Sequence, residues 1–188
     1  MVHIYMLTVF ACIAMTLASE TNAKCDNKII QCIKDVNGGS FPVSFLTSLQ
    51  VLWNSQYSIV WYSRGLVQEQ NLTCITTKFS LLGSKDTYHN GCTSTELIDF
   101  KTSFNIWDHT FTISEYQGMT LKAYAIYHKK YCLGLYVCSP DGVTGSHITI
   151  YCPTSQLARA NSEIEEAKAK FTACHINDGT PLCDQKCN

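Results

Sequence analysis

Cysteine is the residue type with the most chemistry to offer in this chain. There are eleven, and Cys132, Cys138 and Cys152 fall within one short stretch, YCLGLYVCSPDGVTGSHITIYC, residues 131–152. A thiol can hold a metal, attack as a nucleophile or close a disulfide. Zinc fits poorly. Cys132 and Cys138 are six apart, Cys183 and Cys187 four apart, and His175 adjoins Cys174. None of these makes the close paired spacing of a structural zinc site. A nucleophilic cysteine must be unpaired and activated, and no cysteine here is obviously spare. Outside the cysteines, Asp108, His109 and Glu115 could be acid–base groups. The chain has no G-x-S-x-G elbow and no glycine-rich phosphate loop, so these three read as surface or turn polar groups. No enzyme and no cofactor is expected.

Disulfides depend on compartment. Residues 4–18, IYMLTVFACIAMTLA, are apolar apart from Thr8 and Thr16, and small residues Thr21 and Ala23 precede a natural cut. Fifteen residues fall short of the ~20 that span a bilayer, so residues 1–23 read as a signal peptide rather than an anchor. The start, Met1-Val2-His3, is atypical in lacking Lys and Arg. Cleavage would remove Cys12 and leave ten cysteines, an even set that implies disulfides in a secreted chain. It would also remove Glu20 and leave 14 basic against 14 acidic residues. That balance argues against nucleic acid and against insertion into or adhesion to an anionic membrane. Asn71-Leu72-Thr73 is a glycosylation acceptor. Residues 24–188 are expected to form a single domain.

The elements that would position these groups follow from hydrophobic period. Phe45, Leu46, Leu49, Leu52 and Trp53 have helical spacing and predict a short helix over 42–53. From residue 56 the period becomes two. Tyr57, Ile59 and Trp61 alternate with Ser58, Val60 and Tyr62. Residues 73–79 alternate likewise, and Ile98, Phe100 and Phe104 share a face. Phe111 and Ile113 run up to a turn at Tyr116-Gln117-Gly118, and Met119, Leu121, Ala123 and Ala125 run down from it. Residues 131–138 and 146–152 form a further hairpin around Gly142 and Gly145. Residues 155–174 then carry Leu157, Ile164, Ala167, Phe171 and Cys174 near one helical face, with Glu165 and Glu166 spaced to meet Lys168 or Lys170. The expectation is an all-β antiparallel barrel or sandwich with one flanking helix. A closed barrel of about eight strands is either filled by its side chains or holds one small ligand.

The order of signal peptide, short helix, strands, amphipathic helix and cysteine tail resembles a lipocalin. In detail it resembles the tick salivary lipocalins, the histamine-binding protein family. SFLTSLQVLWNSQYSIVWYSRGLVQEQNLTC (44–74) is similar to the family's opening helix, first strand and second-strand cysteine. TFTISEYQGMTLKAYAIYHKKYCLGLYV (110–137) is similar to its hairpin, Tyr-rich strand and C-x-x-x-Y-V strand. HITIYC (147–152) takes the place of its Glu-Leu-Trp strand. The resemblance implies an eight-stranded antiparallel β-barrel with a short N-terminal helix and a C-terminal amphipathic α-helix, stapled by disulfides. It implies Cys74 with Cys187 (or Cys183), Cys132 with Cys152 or a neighbour, and Cys25 or Cys32 with Cys174. Cys92 and Cys138 would then be left for each other. Ten cysteines allow on the order of a thousand pairings, so spacing alone selects none.

The departures from the family bear on ligand. Its amine-binding members keep acids where this chain has Ala123, Leu133 and Thr149. A buried ammonium without an opposite charge is costly, so histamine and serotonin become the less favoured ligands. The expected inward face is Phe111, Ile113, Leu121, Ala123, Ala125, Leu133, Leu135, Val137 and Tyr151, with Thr149 as a polar handle. For each, core packing and ligand contact are both open. Such a face suits a sterol, fatty acid or eicosanoid, with Arg64 or Lys122 as the candidate partner for a carboxylate. The resemblance thus implies a monomeric salivary protein, secreted, that traps a hydrophobic ligand and modulates host immunity or inflammation. A host immune protein, such as complement or a cell receptor, is the alternative partner.

Overall fold

The structure is a computed structural model. It describes residues 24–43, 56–69, 71–80, 83–91, 93–105, 107–116, 119–142 and 145–183. Residues 1–23, most of the helix expected over 42–53, and Cys92, Gln117, Gly118 and Cys187 lie outside the described residues.

Eight strands follow one another along the chain: β1 (Tyr57–Ser63), β2 (Cys74–Ser80), β3 (Gly83–Asn90), β4 (Thr93–Asn105), β5 (Thr110–Tyr116), β6 (Met119–His128), β7 (Leu133–Cys138) and β8 (His147–Pro153). Each pairs antiparallel with the next, and β1 pairs with both β8 and β2, so the sheet closes on itself as a barrel. The closing seam is short, Tyr57 opposite Thr77 and Ser58 opposite Thr76. Beyond it the chain leaves β1 for a short helix, α2 (Arg64–Glu69), and the strand β9 (Gly179–Pro181) takes over the remaining edge of β1.

Strand alternation sorts residues into two layers, with one interruption. A bulge at Val60 shifts the β1–β8 register between Ile59 and Trp61. An extra residue reverses side-chain parity beyond it. Tyr57 and Ile59 point inward, Trp61 outward and Tyr62 inward again. The face expected from Tyr57, Ile59 and Trp61 is therefore split.

Two helices cover the outside. The helix α1 (Asn27–Asp35) lies in a stretch that reads as polar. Its apolar residues are few but well spaced: Ile29, Ile30, Ile33 and Val36 form one stripe, and Asp26 caps it by accepting from the Lys28 N–H at 2.7 Å. A 3-10 turn (Thr154–Arg159) leads into α3 (Asn161–Ala173). Ile33, Ala167 and Phe171 bury against Tyr127, Tyr136, Ile148 and Ile150 on the outer faces of β6–β8. Glu163, itself buried, accepts from the N–H groups of Tyr131 and Cys132 at 3.0 and 2.9 Å and fixes α3 to the β6–β7 turn. Glu165 meets Lys168 at 2.7 Å, but Glu166 reaches across to Lys129 at 2.5 Å and the Tyr127 hydroxyl at 3.1 Å rather than to Lys170.

Among the described residues four disulfides staple these layers: Cys25–Cys138, Cys32–Cys174, Cys74–Cys183 and Cys132–Cys152. In two of the expected pairings the alternative partner is the one found, Cys32 for Cys174 and Cys183 for Cys74, and the Cys92–Cys138 pairing is corrected. Cys25 pairs with Cys138, not with Cys174 or in a Cys92–Cys138 bond, because its N–H bonds the Ser139 carbonyl at the end of β7. Two helical turns on, Cys32 reaches Cys174 at the end of α3. Cys74 takes Cys183 rather than Cys187, because the Cys183 N–H bonds the neighbouring Thr73 carbonyl at 2.9 Å. Cys132 and Cys152 sit opposite each other at the β7–β8 hairpin, as the resemblance implied.

Candidate functional site

The inward faces enclose a cavity of about 310 Å³ to which every strand from β1 to β8 contributes lining. That volume is near the lower end of ligand pockets, ~300–1,000 Å³. Of the residues expected to face it, Phe111, Ile113, Leu121, Leu133, Leu135, Val137 and Tyr151 line its wall, and Ala125 does not. Nor does Ala123. It sits between Phe111 and Val137 in the strand register, where Val43 and Tyr57 complete a packed floor. Thr149 is also fully buried but is not among the lining residues, and its hydroxyl has no partner. Leu133 and Leu135, two residues apart on β7, present the uninterrupted apolar wall.

The opposite wall is different. Alternation along β3 sends Ser84, Asp86 and Tyr88 inward, and all three line the cavity. Asp86 is 8 % exposed and its Oδ1 has no hydrogen-bond partner. Burial pushes its carboxyl up from 3.8 to about 7, against the opposing pull of the Thr77 side chain directly opposite on β2. Thr77 is 1 % exposed, its hydroxyl makes no other hydrogen bond, and it lies behind Asp86 rather than in the cavity lining. Tyr151 reaches the same region from β8. Burial and the nearby Asp86 charge both raise its phenol, while Thr149 acts the other way. Asp86 thus contradicts the expectation of an interior without carboxylates. The resemblance pointed at Ala123, Leu133 and Thr149, and the acid stands on a different strand.

Towards the mouth, Gly145, Ser146 and His147 join Tyr62 and Leu66 in the lining. The His147 ring meets Tyr62 edge-on at 5.5 Å between centroids. Burial pushes its imidazole down from 6.5 to about 4, so it is neutral near pH 7.

No Lys or Arg occurs among the lining residues described. Lys122, between inward Leu121 and Ala123, points outward to Asp108 at 3.7 Å, and Arg64 is exposed on α2. Neither candidate partner for a carboxylate is in the cavity. Asp108 and His109 are turn residues. Asp108 Oδ1 accepts from the Thr110 hydroxyl at 2.6 Å and N–H at 3.2 Å, and His109 Nδ1 lies 3.0 Å from the Val43 carbonyl. The Glu115 side chain is outside what the structure describes. Asn71 is exposed, at a positive φ of 50° between α2 and β2.

Solved structures superimpose on this fold. Apocrustacyanin C2 superimposes with a TM-score of 0.56 at 11 % identity, covering 88 % of this chain and 91 % of its own. Lobster apocrustacyanin A1 gives 0.55 at 11 % identity, covering 87 % and 88 %. The siderocalin Ex-FABP, described as functioning through dual ligand specificities, gives 0.53 at 10 % identity, covering 71 % and 91 %. The fold is lipocalin-like. At such identities the likeness concerns the barrel alone. No protein-family model and no curated relative matches the sequence. The lipocalin-like barrel places its one described carboxylate-lined wall on β3, facing an apolar wall on β7.

Proposed function

We propose that this chain is a secreted lipocalin of the tick salivary type that sequesters a small hydrophobic ligand in its barrel and so modulates host immunity or inflammation. The supporting observation is the closed barrel around a largely apolar cavity of about 310 Å³. Four disulfides suit an oxidising, extracellular compartment. Residues 1–23 would be removed as a signal peptide, residues 24–188 would act as one monomeric domain, and Asn71 would carry a glycan. The protein is read as a binder rather than an enzyme, since Asp108 and His109 are committed to a turn. Native mass spectrometry of protein secreted from insect cells, followed by solvent extraction, tests this. A co-purifying apolar molecule of stoichiometric amount is expected. A dry barrel that takes up no sterol, fatty acid or eicosanoid would overturn the reading.

A second reading is that the barrel is a scaffold for binding a host protein such as complement or an immune-cell receptor. Trp107, 88 % exposed at the β4–β5 turn, favours it. Pull-down from host plasma with the parent and with Trp107→Ala distinguishes the two.

A further inference from the structure

Three buried polar atoms in the barrel interior have no partner: Asp86 Oδ1, Thr77 Oγ1 and Thr149 Oγ1. Polar groups left unpaired in a buried site are costly, so native interiors pair them with protein, water or ligand. These three belong to one region. Thr77 faces Asp86 across the β2–β3 pair, and Tyr151 lies within electrostatic reach of Asp86 and Thr149. Asp86 also lines the cavity. Across from it stand Leu133, Leu135 and Leu121, which offer a ligand only dispersion and burial. The site is therefore a two-ended one, with an apolar end and a polar end that lacks any cation among the described residues.

We propose that Asp86 is the head-group anchor of the cavity and selects lipids bearing an uncharged hydroxyl over those bearing a carboxylate. This rests on the barrel being a ligand site. A hydroxyl donates to Asp86 without bringing a second charge into an apolar interior. A carboxylate cannot donate when ionised. It would meet Asp86 with like charge and lose its hydration with no Lys or Arg to replace it. The inference narrows the ligand class. Of sterol, fatty acid and eicosanoid heads, only the alcohol matches the wall that is there.

The experiment uses four probes with the same ten-carbon chain: decane, decan-1-ol, decanoate and decylamine. Each is titrated calorimetrically near pH 7.5 into the disulfide-intact protein and into Asp86→Asn. The expected result is that the parent binds decanol at least ~10-fold more tightly than decanoate, and that Asp86→Asn shrinks this ratio to within ~3-fold. Decane should bind both proteins equally, which shows that the variant keeps its cavity. Equal alcohol-to-acid ratios in both proteins would overturn the anchor role and leave the hydrophobic-ligand reading standing. Decylamine binding ~10-fold more tightly than decanol would overturn the uncharged class and make Asp86 a counter-ion for an organic cation. No uptake of any probe would overturn the cavity reading and this inference with it.

Discussion

Asp86 is an acid that the fold holds at a cost. Its carboxyl is raised to about 7 from 3.8 by burial. Below pH ~3.8 the folded and unfolded chains both carry the proton, and nothing is lost. Between 3.8 and 7 the unfolded chain ionises first, so stability falls as pH rises, and above 7 the full penalty stands. At ~1.4 kcal/mol per unit the penalty is at most about 4 kcal/mol. Asp86→Asn should therefore be more stable than the parent at pH 8, and equal to it near pH 3.5, in urea unfolding followed by fluorescence. His147 has the opposite sign. Its imidazole is pushed down to about 4 from 6.5. Stability from keeping it neutral is present above 6.5 and is lost as pH falls towards 4. In the parent the two slopes oppose each other between pH 4 and 6.5. Asp86→Asn should consequently lose stability more steeply on acidification through this window, and His147→Gln should lose it more steeply on alkalinisation. A pair of variants whose slopes match the parent's would refute both assignments. Asp86 escaped sequence reading because GSKDTYHN is polar on both faces. With Ser84, Asp86 and Tyr88 alternating against Lys85, Thr87 and His89, period two is present but has no apolar side to mark as inner. Leu133, Leu135 and Tyr151 were legible for the converse reason.

At the scale of elements, the weak point is the seam of the barrel. β1 has one edge to share between β2 and β9, and the bulge at Val60 is where the exchange occurs. It turns Trp61 outward, where Lys168 of α3 lies over its ring at 4.2 Å. Gly179, at the start of β9, passes beneath the same indole. A Cβ there would fall 1.7 Å from the Trp61 Nε1, too close for any side chain. Gly179→Ala should push β9 off β1 and destabilise the protein by about 1–3 kcal/mol, the usual cost of overpacking. Hydrogen exchange should locate the loss at Tyr62, Thr180 and Leu182 rather than at β5 or β6. Strands with one apolar face, β5 to β8, were readable from alternation, and so was the amphipathic stripe of α3. The bulge was not, because an inserted residue leaves composition unchanged and shows only in the register with β8. Nor was α1, whose stripe of Ile29, Ile30, Ile33 and Val36 is diluted by Asn27, Lys28, Gln31, Lys34 and Asp35. Its helical state owes more to two disulfides and to the Asn37 amide, which donates to the Ile33 and Ile126 carbonyls at 2.8 and 3.0 Å, than to any signal a window of sequence carries.

For the whole molecule, the arrangement of the cavity decides how binding is felt. All eight barrel strands contribute lining, so no single hairpin carries a binding surface that could survive without the rest. A ligand in the cavity binds only the closed barrel, and by linkage it stabilises every opening that breaks the barrel. At a free ligand concentration of 100 times Kd the gain should be about 2.7 kcal/mol. The disulfides do not replace this effect. Cys25–Cys138 and Cys32–Cys174 tie α1 to the outer face and to α3, and Cys74–Cys183 ties the C-terminal segment to β2, all outside the cavity. They restrict the unfolded chain, whereas a ligand acts on the folded one, so the two contributions should add. The expected outcome is a rise in Tm that grows with the logarithm of decanol concentration, with amide exchange slowed in β3 and β7 together. Protection confined to β3 and its neighbour β2 would mean that decanol sits on the polar wall without filling the barrel. Protection confined to the β4–β5 turn around Trp107 would move the binding site to the outer surface and favour the protein-partner reading instead.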